Sequence, residues 1–279
     1  MGVAAIIPGI SGGTIAFILG IYDELIEAIN NITKQVKTSL TILIPVGLGV
    51  LSAIIALTIP IGLAFDYFPL PTVSLFAGFI VGGLPLLAKK ADLKRNVLSW
   101  VTLLIPALIA VSLGVFSVWG ELDASAILDQ SALLPKISLI VIGALGVSAF
   151  IVPGISGSML LLTLGFYEPI LNSLENVIDA LPNVFAAGND LTNFVFLGVG
   201  LLVGFISISA LMGYLLKHYS RTVYIAVFGF VVGSLFSVFV NYEIIDVYGD
   251  LDVLYIILSV FTLGGGTIAS YRLNTQHAA

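Results

Sequence analysis

Long apolar segments separated by short polar connections dominate the chain. Six of them approach the length of about 20 residues with which an apolar helix crosses a bilayer. They cover about 41–64, 72–88, 98–118, 194–216, 222–240 and 253–271. Continuous apolar stretches of this length predict transmembrane helices. The pattern therefore predicts an all-α integral membrane protein.

Two further apolar stretches carry the same interruption. Residues 8–22 read PGISGGTIAFILGIY and residues 153–167 read PGISGSMLLLTLGFY, with eight of fifteen positions identical. An acid, Asp23 or Glu168, follows each copy. Proline and glycine interrupt helices, and non-helical backbone at membrane depth is tolerated only where protein or a water-filled cavity surrounds it. Each copy of this motif therefore predicts a break inside the membrane.

Basic and acidic connections alternate between the apolar segments. Lysine and arginine cluster at 34–37, 89–95 and 217–221, and the intervening connections are acidic. Basic connections are expected on the cytoplasmic side. All the basic connections fall on the cytoplasmic side only if each motif-bearing stretch enters and leaves the membrane on the same side. Lys136 is then the only basic residue predicted on the outer side. Both stretches are therefore predicted to be re-entrant helical hairpins, each returning as a short helix through its Tyr22 or Tyr167.

A fainter repeat extends beyond the motif. The segment GFIVGGL at 78–84 aligns with GFVVGSL at 229–235. Each half then contains one re-entrant hairpin and three transmembrane helices, over about 1–120 and 136–279. An odd number of crossings inverts the second half relative to the first, an architecture typical of secondary transporters. We expect two inverted-topology repeats within a single transmembrane domain, residues 1–279.

Composition supports a membrane protein. The chain of 279 residues is 59% hydrophobic and only 9% charged, whereas a soluble domain carries about 25% charged residues. It has no cysteine, and its net charge of −6 does not suggest nucleic acid as a partner. No catalytic residue, cofactor or metal is expected, and the sequence leaves open whether the protein forms a homo-oligomer.

The motif has the chemistry of an anion site. A helix that begins after Pro-Gly-Ile-Ser-Gly presents free N–H groups and the positive end of its dipole, and glycine permits close approach of a ligand. The predicted substrate-binding residues are Gly9, Ser11, Gly12, Gly13, Thr14, Tyr22, Gly154, Ser156, Gly157, Ser158 and Tyr167. The alternative is that the motif is a tight break whose small residues serve only helix packing.

The acids and tyrosines at the ends of the motif have two interpretations. Asp23 and Glu168 are candidate proton carriers, because acids inside a membrane are rare and usually functional. They could instead be solvated at the interface, which the neighbouring Glu24 and Glu27 favour for Asp23. The two tyrosines could donate to an anion or belong to the aromatic belt at the membrane surface.

The doubled motif resembles that of the prokaryotic polyprenyl-phosphate transporters, the PopT-type undecaprenyl-phosphate translocases, over nearly the whole chain. This resemblance implies a flippase that returns the lipid carrier of cell-envelope synthesis across the cytoplasmic membrane. Its substrate-facing segments would be 8–14 and 153–158. We expect the polyprenyl tail to stay among membrane lipids. The phosphate is expected to enter a polar cleft between the hairpins by alternating access.

Other function classes fit the sequence less well. The Gly-x-Ser-Gly element matches that of rhomboid intramembrane proteases, but such a serine needs a histidine base and neither His218 nor His277 lies in an apolar segment. An intramembrane lipid phosphatase would need a basic cluster and a histidine, and zinc chemistry lacks ligands. A transporter or channel for a small soluble anion stays open, and a scaffold without ligand is disfavoured by the doubled break.

Overall fold

The structure is a computed structural model that describes residues 1–2, 11–93, 96–119, 124–130, 132–154, 156–181, 183–240 and 252–277. Over these residues all regular structure is helical, which confirms the predicted all-α class. The helices are α1 Gly12–Ile18, α2 Tyr22–Asn30, α3 Val36–Tyr67, α4 Pro69–Ala91, α5 Val97–Trp119, α6 Ser125–Leu128, α7 Leu133–Ile151, α8 Gly157–Thr163, α9 Tyr167–Asp179, α10 Asn189–Phe239 and α11 Val253–His277, with a 3₁₀ turn at Val184–Ala187.

Five of the described helices are long and apolar enough to cross a membrane: α3, α4, α5, α10 and α11. The chain is therefore a multi-pass membrane protein. The fourth and fifth predicted segments lie together in α10, which contains a residue with non-helical backbone angles, Tyr219 at φ −136° and ψ 34°. A straight helix of this length would extend about 76 Å, more than twice the hydrocarbon thickness of about 30 Å. The break at Tyr219 divides it into two limbs of spanning length.

Each copy of the motif contains two helices rather than the one predicted. The short helices α1 and α8 end at Ile18 and Thr163, and new helices begin at Tyr22 and Tyr167. The prediction of a single short helix through each tyrosine is therefore wrong. Its cause is the glycine of Leu-Gly-(Ile/Phe)-Tyr, because Gly20 adopts φ +74°.

Both short helices end in a Schellman cap. The Gly20 N–H donates to Phe17 O at 3.0 Å and the Ile21 N–H to Ala16 O at 3.1 Å. In the second copy, the equivalent bonds run from Gly165 to Leu162 O and from Phe166 to Leu161 O, both at 2.9 Å. Gly165, at φ +73°, matches Gly20. A left-handed backbone conformation at this position favours glycine. Local backbone geometry therefore explains why glycine occurs at the same place in both copies.

The second copy breaks where the sequence predicts. Helix α7 ends at Ile151, Val152 is extended, and Pro153 and Gly154 form a turn before α8 begins at Gly157. The corresponding break at Pro8-Gly9 lies outside the described residues.

Matching glycines in the two halves pack against different helices. Gly78 and Gly82 of α4 face backbone of α11, and a Cβ at either position would overlap it. Gly229 and Gly233 of α10 face backbone of α5 in the same way. Small residues let helix backbones approach closely in membranes. The second segment of each half thus packs against the third segment of the other half.

Candidate functional site

The two motif copies meet directly. Helix α1 of the first copy lies against the end of α7 and the turn at residues 151–154 of the second. Gly13 is at the closest approach, where a Cβ would lie 3.1 Å from Phe150 O and 3.3 Å from the nitrogen of Pro153. The absence of a side chain at Gly13 therefore allows this contact.

Three side chains of the first copy hold the turn of the second. The Gly154 N–H donates to the Thr14 hydroxyl at 2.7 Å, and the Tyr22 hydroxyl donates to Ile151 O at 2.6 Å. The Ser11 hydroxyl donates more weakly to Val152 O at 3.4 Å. Ser11, Thr14 and Tyr22 are all buried. We call this set of contacts the motif junction.

The turn itself depends on glycine. Gly154 adopts φ +92°, a region that side-chain-bearing residues rarely occupy. A Cβ at this position would also overlap Phe230 of α10. The turn is therefore fixed from both sides, by Thr14 of the first copy and by the packing of α10.

Among the predicted residues of the second copy, Ser156 resembles its counterpart in the first copy, whereas Tyr167 is less buried than Tyr22. Ser156 precedes α8 with extended backbone angles close to those of Ser11, and both serines are buried, at 6% and 3% exposure. Tyr167 is half-buried and Glu168 is exposed. Gly12 and Gly157 are the first residues of α1 and α8. Gly9 lies outside the described residues, as does the side chain of Ser158.

Asp23 lies in a polar cluster that the sequence analysis did not predict. Its Oδ2 accepts a hydrogen bond from the Tyr224 hydroxyl at 2.7 Å and pairs with Lys90 Nζ at 3.2 Å. The ammonium of Lys90 also lies over the Tyr224 ring, 5.2 Å from its centroid, and over the ring of Phe17 at 5.6 Å. The Asp23 carboxylate is therefore engaged by α4 and α10 rather than simply solvated.

In the sequence, Lys90 falls within the basic connection 89–95 and Tyr224 within the predicted transmembrane segment 222–240. A tyrosine one turn inside a segment that follows a basic connection gave no signal of its own. It became informative only when the fold brought it to Asp23, which is 201 residues away along the chain.

Lys136, which the charge pattern predicts to lie alone on the outer side, is held by polar side chains. Lys136 is buried, and its ammonium donates to the side-chain oxygens of Asn189, at 2.7 Å, and of Asn193. Both asparagines donate in turn to Leu128 O, at 2.6 and 3.1 Å. This network joins α6, α7 and α10, and it satisfies a lysine that is an exception to the charge pattern of the loops.

Comparison with known proteins assigns the chain to a family. A family model described as undecaprenyl phosphate translocase-like matches residues 1–251. The chain belongs to this family. A polyprenyl-phosphate transporter of Staphylococcus aureus (strain NCTC 8325 / PS 47) is 32% identical over 245 residues, which cover 86% of this chain and 83% of the relative. A polyprenyl-phosphate transporter of Vibrio cholerae serotype O1 is 29% identical over 251 residues, covering 84% and 73%. No solved structure matches significantly.

Membership in the undecaprenyl phosphate translocase-like family confirms the resemblance drawn from the doubled motif. It also confirms the expectation of a transporter rather than an enzyme, because both relatives are named as transporters. The match includes both motif copies and every described helix except α11, which begins after residue 251.

Proposed function

We propose that this protein moves a polyprenyl phosphate across the cytoplasmic membrane and that the phosphate binds where the two motif copies meet. The observation that carries the proposal is the motif junction. The sequence predicts phosphate ligands at these positions, and Ser11, Thr14 and the Gly154 N–H are hydrogen-bonding groups buried there. Family membership and the names of the two relatives support the lipid substrate.

In this proposal the described arrangement is a closed state of the site. The hydroxyls that would hold a phosphate are occupied by backbone of the opposite copy, since Thr14 bonds Gly154 and Ser11 bonds Val152. Separation of the copies would release the Thr14 hydroxyl and the Gly154 N–H together. A phosphate could replace the lost hydrogen bonds, each of which is worth about 1.5–3 kcal/mol when one partner is charged.

The proposed mechanism is alternating access between two inverted repeats, 1–120 and 136–279. Its support is the exchange of packing partners between the halves, in which Gly78 and Gly82 face α11 while Gly229 and Gly233 face α5. Rocking of one half against the other would separate the motif copies. In the proposed orientation in the membrane, the loops rich in lysine and arginine face the cytoplasm.

Of the two candidate proton carriers, Asp23 and Glu168, we propose that Asp23 carries the proton. The ion pair and phenol bond of Asp23 favour a role for its charge, whereas the exposure of Glu168 favours simple solvation. Asp23→Asn should abolish any response of transport to a pH gradient. Glu168→Gln should retain it.

The decisive experiment is headgroup flipping of polyprenyl phosphate in proteoliposomes, with and without a pH gradient. We expect the wild-type protein to flip the lipid and the Ser11→Ala/Ser156→Ala variant to lose transport while still folding. Ser112→Ala/Ser207→Ala is the matched control, because both of those hydroxyls bond carbonyl groups of their own helices. Undiminished flipping by the motif variant would refute the site. Uptake of inorganic phosphate without lipid flipping would instead indicate a soluble-anion transporter.

A further inference from the structure

The Asp23 cluster has the donor set of a phosphate site, but a carboxylate occupies it. Two donors from different helices, Lys90 of α4 and Tyr224 of α10, converge on the same oxygen, Oδ2. An ammonium and a hydroxyl are also suitable donors for the oxygen of a phosphate monoester, because carboxylate and phosphate oxygens both accept charge-assisted hydrogen bonds. The Phe17 and Tyr224 rings beside the ammonium hold it in place.

The carboxylate fits this position incompletely. Its second oxygen, Oδ1, is buried and has no hydrogen-bond partner among the residues that the structure describes, although the Asp23 side chain as a whole is 45% exposed. A buried acceptor without a partner is unfavourable. Asp23 therefore fills the donor set without satisfying its own hydrogen-bonding capacity, which makes it replaceable by a better anion.

A cavity of about 550 Å³ lies next to the carboxylate, between α2 and α10. Water occupies about 30 Å³ per molecule in the liquid, so the space is ample for a phosphate group. Its lining includes a second cation and two amides as well as Asp23 and Tyr224. The polar lining residues are Asp23, Glu27, Asn30, Asn31, Lys217 and Tyr224.

The local charge balance also favours an anion once Asp23 is withdrawn. With Asp23 and Glu27 ionised, their charges cancel those of Lys90 and Lys217. Movement of the Asp23 carboxylate into solvent leaves Lys90 without its counter-ion beside the cavity. Lys90 and Lys217 both belong to the basic connections of the chain, so this end of the molecule is the one predicted to face the cytoplasm.

We infer that Asp23 occupies a phosphate subsite formed by Lys90, Tyr224 and this cavity, so that a phosphate monoester headgroup and Asp23 compete for the same donors. The inference rests on the proposed function. It adds a binding position on the cytoplasmic side, separate from the motif junction. The ligand chemistry is shared by a lipid headgroup and free phosphate.

The test is equilibrium binding of radiolabelled polyprenyl phosphate to the full chain in detergent. Asp23→Asn removes the competing charge and should tighten binding at least about threefold. Lys90→Gln removes a charge-assisted bond and should weaken binding about tenfold or more, with Lys90→Arg restoring part of it. Tyr224→Phe should weaken it by a smaller factor.

Asp92→Asn is the matched control, because Asp92 also pairs with a cation at this end of α4, Arg221 at 3.4 Å, but does not line the cavity. Its binding should equal that of the wild type. Competition with inorganic phosphate and with dephosphorylated polyprenol identifies the ligand source. Displacement by inorganic phosphate alone at equal concentration would support the subsite but assign it to the free anion.

Two results would overturn the inference. If Asp23→Asn weakens binding as much as Lys90→Gln, the pair is only a structural tie between α2 and α4. If all variants bind like a wild type that binds and flips the lipid, the subsite is wrong while the proposed function stands. A wild-type protein that neither binds nor flips polyprenyl phosphate would refute the proposed function itself. Thermal unfolding of each variant separates lost binding from lost folding.

Discussion

The two copies of the motif share a sequence but contribute different groups to the motif junction. The first copy contributes side chains, the hydroxyls of Ser11, Thr14 and Tyr22. The second contributes backbone, from Ile151 and Val152 just before the copy and from Gly154 within it. At the position equivalent to Thr14 the second copy has Met159, which is buried and apolar. The junction is therefore asymmetric even though the sequence repeats.

What both copies share is the end of the short helix. The Schellman caps at Gly20 and Gly165 have nearly the same φ and the same pair of hydrogen bonds. Leu-Gly-(Ile/Phe)-Tyr is therefore a local structural element that forms in both copies. The residues around position 14 or 159, in contrast, make different contacts in the two copies.

The largest effect is expected at the turn of the second copy. Gly154→Ala should destabilise the protein by at least about 3 kcal/mol, because it combines left-handed strain with overlap onto Phe230. Unfolding by sodium dodecyl sulfate in mixed micelles measures this. Gly20→Ala is the control, since φ is also positive there but no described atom lies within 4 Å of the added Cβ. It should cost only about 1–2 kcal/mol. Equal losses would show that the junction does not constrain Gly154.

The next largest effect on stability is expected at Thr14, whose hydroxyl accepts a hydrogen bond from the turn of the second copy. Thr14→Val should cost about 1–3 kcal/mol, because it removes the acceptor of the buried Gly154 N–H while keeping the shape of the side chain. Thr14→Ser retains the hydroxyl and should restore most of the loss in the same unfolding assay. Failure of serine to restore stability would mean that packing of the methyl group, rather than the hydrogen bond, holds the copies together.

Tyr22→Phe should have a smaller effect, about 0.6–1.7 kcal/mol, as is typical for a hydrogen bond between membrane helices. Because Tyr22 and Thr14 hold the same short turn, the double variant with Thr14→Val should lose less than the sum of the single losses. Strict additivity in this double-mutant cycle would argue that the two bonds act on independent segments.

The smallest effect on stability is expected from the acids that follow the two copies. Asp23→Asn should cost less than about 1 kcal/mol, because the Asp23 side chain is nearly half exposed and its ion pair is screened. Glu168→Gln, at the exposed equivalent, should leave the unfolding midpoint unchanged. A large loss of stability for Glu168→Gln would show that the acid after the second copy contributes to stability at least as much as Asp23.

Local features of the fold could be predicted from the sequence. The apolar segments gave the long helices, and Pro153-Gly154 gave the break before α8, because hydrophobic length and restricted backbone angles act within a few residues. The prediction of one continuous short helix in each copy is wrong at Gly20 and Gly165, because both glycines form helix C-caps. A glycine followed by an apolar residue is a recognisable cap signal, so these helix ends are encoded locally in the sequence.

The sequence by itself determined the membrane environment, the helical class and the positions of the motif, since these follow from composition and short-range patterns. Only the tertiary structure decided that Thr14 meets Gly154, 140 residues away, and that Asp23 meets Tyr224, 201 residues away. The physical reason is that helices in lipid are apolar on every side. Their sequences therefore do not state which face contacts which neighbour, and close packing at small residues selects the partners.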